Sequence, residues 1–436
     1  MKLLLLLPLV SLLVQAQSDP ADAAYKAWSS EHRGDDFRSR AQSLLEASAE
    51  WVAKWPDSKD AWRWRRESLV ETRSNSAEIW KQVDENLIRL RPPHSFAAAA
   101  ASDWIGAKVN LEDAERLISS EIEWVETRIP DNQPPKGTLV EQIEQAQSVL
   151  RLFNMLGTEA AAQIQLKQFD RAHGTVSRML GLWEGNFRNH YDQDPVQTFP
   201  DYESRYFSLA AELAEAEGKI LDALATYQHI ITNPYFRRMY PGPVEHTHVL
   251  WKQAGGGEDA WALFSKVPAL PAGVPGEAIG TPFFPWEIVN YKLPDFKASG
   301  LNSSTWTPRD FEGKITLMYL WASWCAPCWA HLPVVQGVYD AIRGQPGVQI
   351  VTLSEDEDPE KLAAFMKQKG YTFPVVVSKS YREQLFPQMP LGQEWIVDKS
   401  ATMRRHRMSV AIAGRERAYV EEAVYKLGEL ANDSLK

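Results

Sequence analysis

The chain has 436 residues, 44% of them hydrophobic, 11% aromatic and 24% charged; this is too long for one ordinary core and too apolar for a disordered or fibrous chain, so two or three folded domains are expected. Its 47 Lys and Arg against 57 Asp and Glu leave a formal net charge of −10, which argues against a general nucleic-acid binder, because phosphate contacts need a basic surface. Cys325 and Cys328 are the only cysteines, so no disulfide framework staples the whole chain and the pair is local, either chemical or metal-binding.

At the N-terminus, Lys2 precedes an apolar run from Leu3 to Val14, and Val14-Gln15-Ala16 supplies the small residues favoured before a signal-peptidase cut. Residues 1–16 are therefore predicted to be a signal peptide, and the protein to be exported to a periplasmic or extracellular location. The run falls short of the ~20 apolar residues a bilayer needs, no later stretch approaches that length, and no cysteine follows it for lipid attachment. Cleavage is thus expected to leave no membrane anchor.

From residue 17 to 266 the pattern is helical, with long amphipathic runs rich in Ala, Leu, Glu, Gln and Arg. Breaks at Pro56-Asp57, Pro92-Pro93, Pro130 to Gly137, Pro195 to Pro200 and Pro241-Gly242-Pro243 cut it into lengths of about a helix pair. The clearest pair runs from Tyr206 to Pro234: Gly218 in the turn, Ala223 allowing close approach, Tyr227 and Ile230 filling the groove, Pro234 closing the unit. This spacing resembles a tetratricopeptide repeat, with echoes at Phe169, Ala172 and Val176 and at Leu111, Ala114 and Ile118. The three alanines are 58 and 51 residues apart, against about 34 in the regular repeat, so the solenoid is read as degenerate. Trp51 and Trp55 stand four residues apart, a spacing that places two aromatics on one helical face; these and Trp62, Trp64, Trp80, Trp104, Trp124 and Trp183 are read as seam-filling core rather than a ligand cage. Residues 267–289 are a Pro/Gly-rich linker.

Past the linker, residues 290–436 alternate strands and helices. Strands are predicted at Ile315–Trp321, Val348–Leu353, Val375–Val377 and Trp395–Val397; helices are predicted from about Pro327 to Arg343, over Pro359–Lys369 and over Glu416–Leu430. The basic run Arg404, Arg405, His406 and Arg407 reads as the solvated side of a strand or turn. The fold class is multidomain: an all-α, tetratricopeptide-like region followed by an α/β domain.

The chemistry centres on Trp321-Ala322-Ser323-Trp324-Cys325-Ala326-Pro327-Cys328, directly after a strand and opening a helix. Two cysteines on the first turn of a helix bring their sulfurs together, so they can form and reopen a disulfide. Cys325, at the helix N-terminus, is the expected nucleophile because free N–H groups and the dipole favour its thiolate. Cys328, a turn further in, would resolve the mixed disulfide.

This motif resembles the thioredoxin superfamily, and most closely its exported TlpA-like branch. The likeness takes in Leu293-Pro294-Asp295-Phe296, Asp310-Phe311-Glu312-Gly313-Lys314, Pro333 as a helix-kinking proline, and Val351-Thr352-Leu353-Ser354-Glu355-Asp356. It covers about residues 290 to 432. The resemblance implies a thioredoxin fold, Trp324 and Pro327 as parts of the active site, and thiol–disulfide exchange with exported proteins. The direction it favours is reductant, recharged by a membrane thiol reductant, with no dissociable cofactor. Three positions depart from the family pattern. Tyr319 replaces a buried Asp. His331 replaces a Glu, either assisting proton transfer or standing as a partly exposed surface histidine. Pro390 is the candidate cis-proline but lies about two residues upstream of the usual place, where Gly392 stands.

Other chemistries fit less well. A zinc site on Cys325, Cys328 and His331 lacks a fourth ligand, haem attachment would need His where Trp329 stands, and Trp321 to Cys325 lacks a peroxidatic Thr-to-Cys pocket. The alternative function is a helical-repeat scaffold for protein binding, with the thioredoxin-like domain as a structural or redox-sensing element.

Overall fold

The computed structural model describes residues 19–129, 134–191, 199–239, 242–268, 286–377, 390–409 and 414–433. The expected signal peptide and most of the expected linker lie outside the described residues. The chain divides into two compact units, one up to Glu121 and one from Ile122 onward.

The first unit is helical: α1 (Pro20–Glu31), α2 (Phe37–Lys54), α3 (Lys59–Glu71), α4 (Ala77–Arg89), α5 (Ala97–Gly106) and most of α6 (Leu111–Glu126). Caps set the starts of three of these helices. Asp19 accepts from the Ala21 N–H, Asp36 from those of Arg38 and Ser39, and Ser58 from that of Ala61. Trp28 and Trp51 pack with Leu44, and Tyr25 stacks on Trp64 with centroids 3.3 Å apart. The Trp62 and Trp80 indoles donate to the carbonyls of Pro56 and Ser74, each six residues back, at 2.7 and 2.8 Å. These aromatics fill seams, as read from the sequence, and the Trp62 and Trp80 indoles also pin loops.

The second unit opens with α7 (Leu139–Gln165), α8 (Phe169–Leu182), α9 (Arg188–His190), α10 (Phe199–Ala216), α11 (Ile220–Ile231), α12 (Pro234–Met239), α13 (Gly242–Gln253) and α14 (Glu258–Phe264). In the α10–α11 pair Gly218 takes φ +78 at the turn, and Ala223, Tyr227 and Ile230 are buried against Ala211 and Leu250. Pro234 ends that unit by opening α12 rather than merely stopping α11. One closing turn recurs after α3, α5, α7, α10 and α13. In it Arg73, Lys108, Lys167, Gly218 and Gly255 take positive φ, and the next N–H reaches back five residues to a helix carbonyl at 2.8–2.9 Å, as from Gln168 to Gln163 and from Lys219 to Ala214.

The α/β part is an eight-stranded sheet: β1 (Glu287–Lys292), β2 (Ala298–Gly300), β3 (Thr305–Trp306), β4 (Ile315–Trp321), β5 (Val348–Ser354), β6 (Val375–Val377), β7 (Gln393–Val397) and β8 (Thr402–Met408), in the order β1-β8-β7-β4-β5-β6-β2-β3. β4, buried throughout, runs parallel to β5 and antiparallel to β7. Its alternation splits the core. Ile315, Leu317, Tyr319 and Trp321 face one layer with α16 (Leu332–Ile342) and α18 (Glu416–Asp433), while Met318 and Leu320 face the other. α17 (Pro359–Lys369) starts on an Asp358 cap and stops at Gly370, φ +72.

Helix α7 belongs to this core. Its Leu139 and Ile143 pack with Val289, Met318, Leu320 and Trp395. The Gln142 amide pairs with the Asn290 backbone, accepting its N–H at 2.7 Å and donating to its carbonyl at 3.2 Å. Tyr191 bridges to Glu287 and donates to the Ala146 carbonyl at 2.7 Å. Gln142 and Tyr191 thereby occupy backbone groups of the edge strand β1 that would otherwise be open to another chain.

Candidate active site

β4 ends at Trp321, and the chain turns through Ala322 to Trp324 before α15 (Ala326–Trp329). Asp356, beyond β5, holds this turn: it accepts from the Ser323 N–H at 2.8 Å, the Ser323 hydroxyl at 2.5 Å and the Ser354 hydroxyl at 2.6 Å. The Trp329 indole donates to the Ser323 carbonyl at 2.9 Å.

Cys325 is the N-cap of α15 and is disulfide-bonded to Cys328, with Cα atoms 5.3 Å apart. Cys325 is 8% exposed and Cys328 1%, so Cys325 is the more accessible of the pair. Trp324, 64% exposed, and the exposed Pro327 flank it. The helix expected from about Pro327 to Arg343 is two pieces, α15 and α16, broken at Ala330-His331 with Pro333 at the start of the second. α15 is four residues long, so a thiolate at Cys325 would draw on the N–H groups of one turn more than on a long helix dipole. Pro327 contributes no N–H to that turn but fixes its φ.

His331 is 1% exposed, which removes the surface-histidine alternative. Its Nε2 lies 2.6 Å from Glu394 Oε1; Arg407 Nε donates to Glu394 Oε2 at 2.7 Å, and Arg407 also pairs with Glu422 at 2.8 Å. The Trp286 indole donates to Glu422 at 2.9 Å, and the Arg407 guanidinium lies 4.0 Å from the Trp286 ring. Burial alone would push the Glu394 carboxyl up, but Arg407 and His331 outweigh it and hold the group well below the usual carboxylate range. Tyr319, at the position of the family's buried Asp, sits 5.1 Å from the His331 ring, and burial first, then the Glu394 charge, push its phenol far up. It stays neutral.

The basic run was expected to be solvated. His406 and Arg407 are instead buried in β8, where Glu287 and Gln393 hold His406 at 2.6 and 2.7 Å. Glu394 and Glu422 escape the sequence reading, and Arg407 reads there as solvated, because the three lie in separate elements with no motif linking them. The nearest signal was the glutamate opening the apolar strand run Glu394-Trp395-Ile396-Val397.

Pro390 is exposed, and its preceding residue lies outside the described residues; no described peptide bond is cis. Gly392 takes φ +83, which glycine alone adopts freely, and donates to the Leu320 carbonyl at 2.9 Å. Beside Pro390 and Met408 is a cavity of about 250 Å³ whose other wall is Val140, Ile143, Glu144 and Gln147 of α7.

Residues 289–384 match the AhpC/TSA family. The thiol-disulfide oxidoreductase ResA of Bacillus thuringiensis is 28% identical over 112 residues, which are 26% of this chain and 64% of that protein, so the chain spans just under two thirds of this relative's length. Among solved structures, a DsbF homologue from Corynebacterium diphtheriae is 18% identical with TM-score 0.26, covering 31% of this chain and 87% of that one. A secreted thiol-disulfide isomerase from Corynebacterium glutamicum is 17% identical with TM-score 0.27, covering 31% and 85%. The C-terminal part of the chain is thus a thioredoxin-like α/β domain, matched by the AhpC/TSA family and related in sequence to thiol-disulfide oxidoreductases.

Proposed function

We propose that this protein is an exported thiol–disulfide oxidoreductase that exchanges disulfides with partner proteins through Cys325 and Cys328, acting as the reductant. The observation that carries the reading is the pairing of a reachable outer sulfur with a sealed inner one. Cys325 as thiolate attacks a partner disulfide and forms a mixed disulfide; Cys328 then displaces the partner, restoring the bond seen here. Trp324 and Pro327 frame the approach to Cys325, and Pro390, two residues before Gly392, lines the cavity it shares with α7. The N-terminal apolar segment supports export to a periplasmic or extracellular site, where the partners are exported proteins and a membrane thiol reductant supplies the electrons.

The helical region, read as tetratricopeptide-like on its recurring turns, is assigned partner selection, since stacked helix pairs present extended docking surface. The cavity beside Pro390 supports this, because α7 supplies half of its wall. Insulin reduction by the full-length protein, with the reduction potential of the pair, tests the reading. Turnover that disappears in Cys325→Ser, with a potential of about −200 mV or lower, is expected. Absent turnover in the wild-type protein would leave the alternative of a binding scaffold with a structural or sensing domain.

A further inference from the structure

We propose that His331 is the group that takes the proton from Cys328 when the dithiol closes on a substrate, with Glu394 as its positioning carboxylate. The proposal rests on the exchange reading above. The His331 backbone N–H donates to the Cys328 carbonyl at 3.0 Å, so the histidine stands one turn after the resolving cysteine, at the break between α15 and α16. Both are 1% exposed.

Glu394 is ionised and can only accept, so the 2.6 Å contact requires the hydrogen on His331 Nε2. In the neutral ring the lone pair is then on Nδ1. That atom is buried and meets no hydrogen-bonding group among the described residues, and neither does the buried hydroxyl of Tyr319, whose ring centroid lies 5.1 Å from that of His331. The groups facing His331 are Glu394 from β7, Tyr319 from β4 and Tyr419 from α18, whose ring centroid is 6.3 Å away; Arg407 and Glu422 stand behind Glu394. With a neutral imidazole this buried set holds two carboxylates against one guanidinium. A proton taken up by His331 brings the set to two negative against two positive charges.

The step balances as follows. Cys325 Sγ is bonded to a substrate sulfur, and the Cys328 S–H proton passes to His331 Nδ1. Cys328 Sγ attacks Cys325 Sγ, the bond to the substrate sulfur breaks, and the electron pair leaves with that sulfur. The substrate thiolate takes up a proton and the imidazole returns to neutral, two electrons having passed from the dithiol to the substrate.

Single-turnover reaction of the reduced full-length protein with dithiobis-nitrobenzoate separates the half-reactions, since attack by Cys325 releases one chromophore and closure by Cys328 the second. In His331→Ala the first release should stay within about twofold of wild type and the second slow by about 100-fold at neutral pH, recovering with added imidazole and with rising pH. His331→Gln, which can still bond Glu394 but cannot take the proton, should show the same selective slowing, separating proton transfer from packing. A second release at the wild-type rate in both variants, or equal slowing of both releases, overturns the proposal. Failure of the exchange reading is distinct, because the wild-type protein itself would then give no second release.

Discussion

Asp84→Asn should stabilise the first unit, and by an amount that grows with pH. Asp84 lies in α4 at 0% exposure, and among the described residues neither carboxylate oxygen makes a well-formed hydrogen bond. Burial, then the charge of Asp103, push its carboxyl from the ordinary 3.8 up to about 7; Arg66, which is committed to Asp103 at 2.5 Å, offsets this only in part. The folded state therefore holds a proton that the unfolded state releases. Stability falls as pH rises from about 4 to about 7 and is level above that. Relative to a side chain that never ionises, the cost is about 1.7 kcal/mol at pH ~5 and about 4 kcal/mol at pH ~8. The gap between Asp84→Asn and wild type should thus widen by roughly 2.5 kcal/mol between those two pH values. That difference cancels any pH-independent effect of the amide on packing. Denaturant unfolding followed by tryptophan fluorescence measures it, since the first unit contains Trp28, Trp51, Trp62, Trp64, Trp80 and Trp104. A stability difference that is the same at both pH values would refute the reasoning.

Two further substitutions test the frame around the site. Arg407→Met leaves Glu394 and Glu422 buried without their cation and should cost about 3–5 kcal/mol in chemical denaturation; a loss under 1 kcal/mol would mean the network is solvated. Because Glu394 titrates below its unfolded value, the stability it supplies is present above about pH 4.5 and lost on acidification. Lys167→Gly, at an exposed turn residue with φ +58, should stabilise by about 0.5–1 kcal/mol, and a loss of stability would show that the lysine side chain makes the turn.

Local patterning made the central elements legible. β4, β6 and α17 fall where the apolar runs and the helical stretch Pro359–Lys369 place them, and the Cys325–Cys328 motif sits at the predicted junction of strand and helix. What escaped is non-local. β1, β2 and β3 are short or polar strands at the two ends of the sheet whose pairing, such as Ser299 with Val377, leaves no periodicity to read. β8 reads as basic and solvated because the acids that bury Arg407 come from β7 and α18. The docking of α7 on β1 combines apolar contacts of Leu139 and Ile143 with the side-chain amide of Gln142, 148 residues from its partner Asn290. His331 looked ambiguous because helical position alone does not tell a buried face from an exposed one once Pro333 restarts the helix.

Adduct mapping after brief reaction with a disulfide-containing peptide measures directly whether the two sulfurs have different roles. Cys328→Ser should accumulate a stable mixed disulfide at Cys325, since the resolving thiol is missing. Cys325→Ser, whose remaining thiol is sealed at 1% exposure, should form almost none. Comparable adducts in both variants, or none in Cys328→Ser, would contradict the assignment of Cys325 as nucleophile and Cys328 as resolving thiol.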